Sequence, residues 1–198
     1  MAIYNKTSIY ALLFLLNSVH CFAQLPQDSR RVGGIAVIPL SANINQVFYQ
    51  HKPVLISQEN GKRYAVFGIP LSVQLGTLSL NTNSTPIQIE VKPYPYAEQR
   101  ITVKNQDYVN PNQDQLDRYA REAKEQNAIY DSFSASAWTA FPNFIRPTAG
   151  KFSNSFGRKR FFNGEARAPH SGLDIPAPVG QKVIAPAAGI VAQTGDYF

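Results

Sequence analysis

Pro169-His170-Ser171-Gly172-Leu173-Asp174 is the stretch on which the reading of this 198-residue chain turns, with Arg167 before it and Ile175-Pro176-Ala177-Pro178 after it. It holds the one histidine in the second half of the chain, with a carboxylate four residues on. A helix would put both on one face, but Gly172 and then Pro176 oppose a helix here. An extended strand would leave them about 13 Å apart. Two ligands of one zinc ion must each come within about 2.0–2.2 Å of it. A shared metal therefore requires the backbone to bend between His170 and Asp174, and Gly172 is read as the residue that permits the bend. An imidazole with a carboxylate favours Zn2+ over Ca2+ or Mg2+. Further on, the run from Val183 to Val191 reads as two short buried strands.

Working outward, composition describes an ordinary folding chain. It is 44% hydrophobic and 16% charged, with 14 prolines and 12% aromatic residues, which favours short strands and turns over long helices. The fold class expected is mainly β. Residues 1–23 read as a signal peptide: Lys6 is its positive end, Ile9 to Leu16 is an apolar run too short to span a bilayer, and Cys21-Phe22-Ala23 suits cleavage after Ala23. A retained anchor is the alternative, but no stop-transfer pattern follows. The expected localisation is export to the periplasm or cell envelope, with no stable membrane span. Cys21 is the single cysteine, so the mature chain has no disulfide to staple it. Removing the signal takes away Lys6 and no acid, so the formal charge falls from +6 to +5. A basic surface of that size suits either an anionic envelope substrate or simple solubility. No cluster of Arg and Lys with interleaved aromatics points to nucleic acid.

Residues 24–31 are polar and read as a flexible N-terminus. From Val32 to about residue 105 the chain reads as a small antiparallel β-sandwich. Ile35 to Leu40 is its first strand, and two apolar runs flanking Asn60-Gly61 signal a hairpin. Ile87, Ile89 and Val91 alternate with polar residues, as a half-buried strand does, and Ile101 with Val103 repeats that pattern. His51 reads as an exposed loop histidine. Residues 110–130 read as one linker helix, capped by Asn110 with Pro111 in its first turn and Gln113 returning a capping bond. Leu116, Tyr119, Ala120, Ala123 and Tyr130 form its apolar face, expected to pack on the sandwich or dock the two halves. Residues 131–147 read as a junction in which Trp138 packs, and a second domain follows over 148–198. Arg158, Arg160 and Asn163 read either as contacts for substrate carboxylates or as a solvated basic turn.

Phe156-Gly157-Arg158, Asn163-Gly164, the Pro169 to Ile175 stretch, Ala177-Pro178-Val179-Gly180, Val183 to Pro186 and Gly189-Ile190-Val191 together resemble the lysostaphin/LytM-type (M23) zinc metallopeptidases. The resemblance covers Pro147 to Phe198 densely. Gly33 to Asn127 is similar, less specifically, to the β-domain that precedes the catalytic domain in exported members. The resemblance implies that His170 and Asp174 are zinc ligands and that the partner is peptidoglycan, whose peptide cross-links are hydrolysed. It also implies a third ligand and a base, both histidines, one pair of them in a later His-x-His motif. No histidine follows His170 in the sequence. A catalytic zinc takes three protein ligands and a water, so the peptidase domain is expected to be incomplete at its C-terminus, with the base histidine beyond Phe198 and no hydrolysis by this chain alone. The alternative is a non-catalytic LytM-like binding protein or amidase activator, against which stands the retention of both His170 and Asp174.

Overall fold

A computed structural model describes residues 24–105, 109–133 and 141–197. The expected signal peptide, Trp138 and Phe198 lie outside the described residues. Among the described residues the fold is mainly β, with one helix and chiefly antiparallel pairing, as expected.

The first sheet contains strands β1 (Ile35–Pro39), β4 (Leu55–Glu59) and β5 (Lys62–Gly68) in the order β1-β5-β4, all antiparallel. Asn60 and Gly61, at φ 50° and 73°, make the tight turn between β4 and β5. Both residues need the left-handed region there, which Asn and Gly occupy at least cost. The second sheet contains β2 (Val47–Tyr49), β3 (Lys52–Pro53), β6 (Gly76–Thr82) and β7 (Ile87–Val91) in the order β3-β2-β6-β7. Alternation along β6 and β7 sends Leu78, Leu80, Ile89 and Val91 inward and Ser79, Gln88 and Glu90 to solvent. They meet Ala36, Ile38, Ala65 and Phe67 of the first sheet, and this layer between the two sheets is the core. His51 is exposed in the turn between β2 and β3.

Four expectations are corrected. Residues 24–31 are tied down: Leu25 N donates to Glu59 Oε1 at 2.9 Å, Val37 N to Asp28 Oδ1 at 3.0 Å, and Lys92 N to the Arg30 carbonyl at 2.9 Å. Of the polar side chains that suggested flexibility, Asp28 accepts a strand amide; the other two bonds use the segment's own backbone N–H and C=O.

The strand around Ile101 does not belong to the sandwich. Strand β8 (Glu98–Ile101) pairs in parallel with β9 (Lys159–Phe162), which pairs antiparallel with β10 (Glu165–Arg167). A third sheet thus joins the two halves of the sequence across the boundary expected near residue 105. Asn163 holds the register: its amide side chain accepts from Val103 N at 2.8 Å and donates to the Val103 carbonyl at 3.1 Å. Asn163 is therefore a structural clamp.

The helix α1 (Gln113–Tyr130) starts three residues later than expected, with Asn112 as its cap. Asn112 Oδ1 accepts from Gln115 N at 3.0 Å and Gln115 Oε1 accepts from Asn112 N at 2.9 Å, a reciprocal pair two residues beyond the one anticipated. No residue of the helix is buried, so its apolar stripe does not pack on the sandwich. With little burial to hold it, the helix relies on its cap, on pairs four residues apart such as Gln113 with Asp117, and on Arg118 donating to the Asp196 carbonyl at 3.3 Å. Asn112→Ala is accordingly expected to cost the helix about 1 kcal/mol, read as faster amide exchange in its first turn with the sandwich amides unchanged.

Residues 183–191 form no strand, and Val183, Ile184, Ile190 and Val191 are exposed. Ile145 N donates to the Pro186 carbonyl at 2.9 Å and Ile184 N to the Pro147 carbonyl at 2.8 Å. These are two successive pairs of an antiparallel ladder, each reduced to one bond because Pro147 and Pro186 have no N–H to return. With half its bonds missing and nothing packed over it, the apolar run stays open.

Candidate functional site

The sequence from Thr148 to Arg158 is a cradle laid against the motif. Gly157 N donates to the His170 carbonyl at 2.7 Å and His170 N to the Arg158 carbonyl at 3.0 Å, so the histidine backbone is held at both ends. Four residues on, Ser153 N donates to the Asp174 carbonyl at 3.0 Å. Asp174 N in turn faces the hydroxyls of Ser153 at 3.2 Å and Ser155 at 3.3 Å, and those two oxygens are 2.7 Å apart. Ser155 is one of only two buried polar residues among those described. A buried hydroxyl that satisfies a backbone amide removes a desolvation cost and fixes the amide in place. Ser153 and Ser155 were not singled out from sequence; Asn154 between them is left-handed at φ 49°, a turn that no apolar alternation signals. Below the motif, a Cβ at Gly150 would come within 2.7 Å of Ile175 Cγ2 and 2.9 Å of the Pro176 carbonyl oxygen, so only glycine allows this approach.

The structure brings His170 and Asp174 together. His170 Nε2 and Asp174 Oδ1 are 3.3 Å apart, with the imidazole 11% exposed and the carboxylate 57% exposed. The chain does bend at Gly172. The bend is not one that demands glycine, because φ there lies outside the left-handed region and an added Cβ would meet nothing closer than His170 Cε1 at 3.9 Å. The required glycines are Gly150 and Gly157 in the cradle. A Cβ on Gly157 would overlap the Tyr96 ring at 2.1 Å.

The separation of the two donors is informative. A neutral imidazole nitrogen and a carboxylate oxygen are both lone-pair donors, and they repel unless a proton or a cation lies between them. A proton shared in an N–H···O bond draws the atoms to about 2.7–3.2 Å. Two ligands at about 2.1 Å on a tetrahedral zinc sit about 3.4 Å apart. The 3.3 Å between them lies between these two spacings, so the pair is placed to share either a proton or a cation. His170 Nδ1 is buried with no hydrogen-bond partner, so the ring carries one polar atom for which the described residues provide nothing. Among the described residues no cluster of three or more His, Cys, Asp or Glu could hold a metal ion. The pair fits a zinc ion as two of its ligands.

The Arg158 and Arg160 side chains make no hydrogen bond or ion pair with His170 or Asp174, although the Arg158 carbonyl accepts the His170 amide at 3.0 Å. Arg158 Nε donates to the Asn154 carbonyl at 3.1 Å, and Arg160 Nε is buried in the third sheet without a partner. Residues 31–94 match the Peptidase family M23 N-terminal domain. A crystal structure from Pseudomonas aeruginosa, described as a candidate peptidase M23, superimposes with a TM-score of 0.64 at 32% identity over 86% of this chain. The chain carries an M23 N-terminal domain. The matched residues are the first two sheets with Arg31 at their start, so the family match lies in the sandwich. The chain spans 65% of the length of that Pseudomonas protein. No curated protein matches it. Among the described residues no helix is long and apolar enough to cross a membrane.

Proposed function

We propose that this chain contributes to an exported, zinc-dependent endopeptidase that cleaves peptide cross-links of peptidoglycan in the cell envelope, with His170 and Asp174 as two of the zinc ligands. The observation that supports this best is the 3.3 Å between Nε2 and Oδ1, a spacing suited to a shared cation in a family of peptidases. A zinc ion held there would supply Lewis-acid polarisation of a peptide carbonyl and a more acidic water.

The chain's own residues prepare that position. His170 is nearly enclosed, so its nitrogen is held in one place, while Asp174 leaves its outer side open to a substrate. Ser153 and Ser155 fix the Asp174 backbone, and the Gly157 and Arg158 backbone fixes that of His170. A ligand whose lone pair is committed to a metal is not free to take a proton, so neither residue serves as the general base.

Purified chain should therefore take up one equivalent of Zn2+ and sediment with purified peptidoglycan sacculi, yet release no peptides from them. Failure to bind Zn2+ sinks the reading, and zinc-dependent peptide release by this chain sinks the assignment of ligand roles. Sedimentation without any Zn2+ uptake would instead mark a binding protein.

A further inference from the structure

Between the sandwich and the cradle lies a cavity of about 300 Å³ whose lining includes Arg31, Tyr94, Tyr96, Asn154, Phe156 and Arg158. Ligand pockets start at about that size. It carries two guanidinium groups and no acidic side chain. Arg31 Cζ sits 3.6 Å from the centre of the Tyr94 ring, which pins the group in place without neutralising it, and its Nε is buried with no hydrogen-bond partner. Arg158 is held through its Nε by the Asn154 carbonyl. Neither arginine forms an ion pair among the described residues.

Three aromatic rings close the sides. Tyr94 and Tyr96 meet edge-on at 4.7 Å, and Tyr96 and Phe156 at 6.1 Å. Tyr96 donates its hydroxyl to the Val32 carbonyl at 3.0 Å. Burial above all holds its pKa above the ordinary tyrosine value, so the phenol stays neutral as a wall of the cleft. Two held, uncompensated arginines in a confined space concentrate positive potential. Their planar donor forks match a carboxylate. The aromatic faces suit the organic body attached to it better than a bare inorganic anion.

We propose that this cleft is a second binding site of the chain, distinct from the His170–Asp174 pair, and that it takes a free carboxylate of a peptidoglycan stem peptide; the choice of ligand depends on the peptidoglycan reading above. The cleft and the pair are adjacent in the backbone, because the carbonyl of Arg158 accepts the His170 amide at 3.0 Å. A peptide anchored by its carboxylate on Arg31 and Arg158 is thereby held beside the ligand pair.

The test titrates the isotopically labelled chain with a soluble muramoyl tripeptide bearing free carboxylates, with its fully amidated counterpart, and with inorganic phosphate. The amide resonances of Gly33, Ala97 and Gly157 should shift with the acid form, and amidation should weaken binding. Arg31→Gln and Arg158→Gln should each weaken it by about tenfold or more, the usual loss for a hydrogen bond to a charged group. Arg121→Gln makes the same charge change on the exposed helix and should leave binding unchanged. Arg31→Lys keeps the charge without the fork and should fall between, which separates lost recognition from lost folding. Equal binding of acid and amide forms overturns the proposal, as does equal binding of phosphate. Absence of binding by the tripeptide while the chain still sediments with sacculi overturns the cleft alone. Absence of both overturns the cleft and the peptidoglycan reading together.

Discussion

His170→Ala should lower the affinity of the chain for Zn2+ by more than about a hundredfold, since residues that merely support a ligand already cost about 10–100-fold when changed. The imidazole is nearly enclosed and its backbone is bonded on both sides, so no neighbouring donor can swing into its place. Titration calorimetry, or the visible spectrum of the Co2+-substituted chain, gives the readout. His51→Ala is the control, because His51 stands exposed in a turn of the sandwich. Asp174→Asn keeps an oxygen at the same place but removes its charge, and should weaken binding less than His170→Ala. Ser155→Ala leaves both donors intact and loosens only the backbone under Asp174, so a still smaller loss is expected. If His51→Ala weakens the metal as much as His170→Ala does, the chain binds zinc at some other place.

Much of this arrangement could be read from the residues because local chemistry decided it. Asn60-Gly61 allows little but a tight hairpin, and Ile87, Ile89 and Val91 alternate so cleanly that only one face of β7 can be buried. The His170–Asp174 pair drew attention through the glycine- and proline-marked motifs around it, since a His and an Asp four residues apart are common by chance. What escaped depends on partners far along the chain. The parallel pairing of β8 with β9 is set by Asn163 reaching back to Val103, and nothing near Ile101 announces it. The run from Val183 to Val191 has strand composition, but whether it becomes a strand is decided by Pro186 opposite Ile145 and Pro147 opposite Ile184, each of which removes one ladder bond. The same limit applies to glycines. Gly172 attracted notice because it lies between the two donors, whereas Gly157 matters because of a tyrosine sixty-one positions earlier.

That last distinction is testable, and its effect should be large. At Gly157, φ is +77° and an added Cβ would lie 2.1, 2.3 and 2.5 Å from Cε1, Cδ1 and Cζ of Tyr96. Tyr96 is anchored where it stands, because its hydroxyl is bonded to the Val32 carbonyl and lies against Gly33. Gly157→Ala should therefore cost about 3 kcal/mol, combining overpacking with the left-handed backbone penalty, measured by denaturant unfolding. It should also weaken Zn2+ binding, since the Gly157 amide holds the His170 carbonyl at 2.7 Å. Adding Tyr96→Ala removes the obstacle, so the double variant should lose less than the sum of the two single losses. Gly172→Ala meets only ordinary contact at 3.9 Å and no left-handed φ, and should change stability by less than about 1 kcal/mol. If Gly172→Ala proves the more damaging, the bend between the donors is what shapes the site. If Gly157→Ala does, then the sandwich, acting through Tyr96, holds the histidine in position.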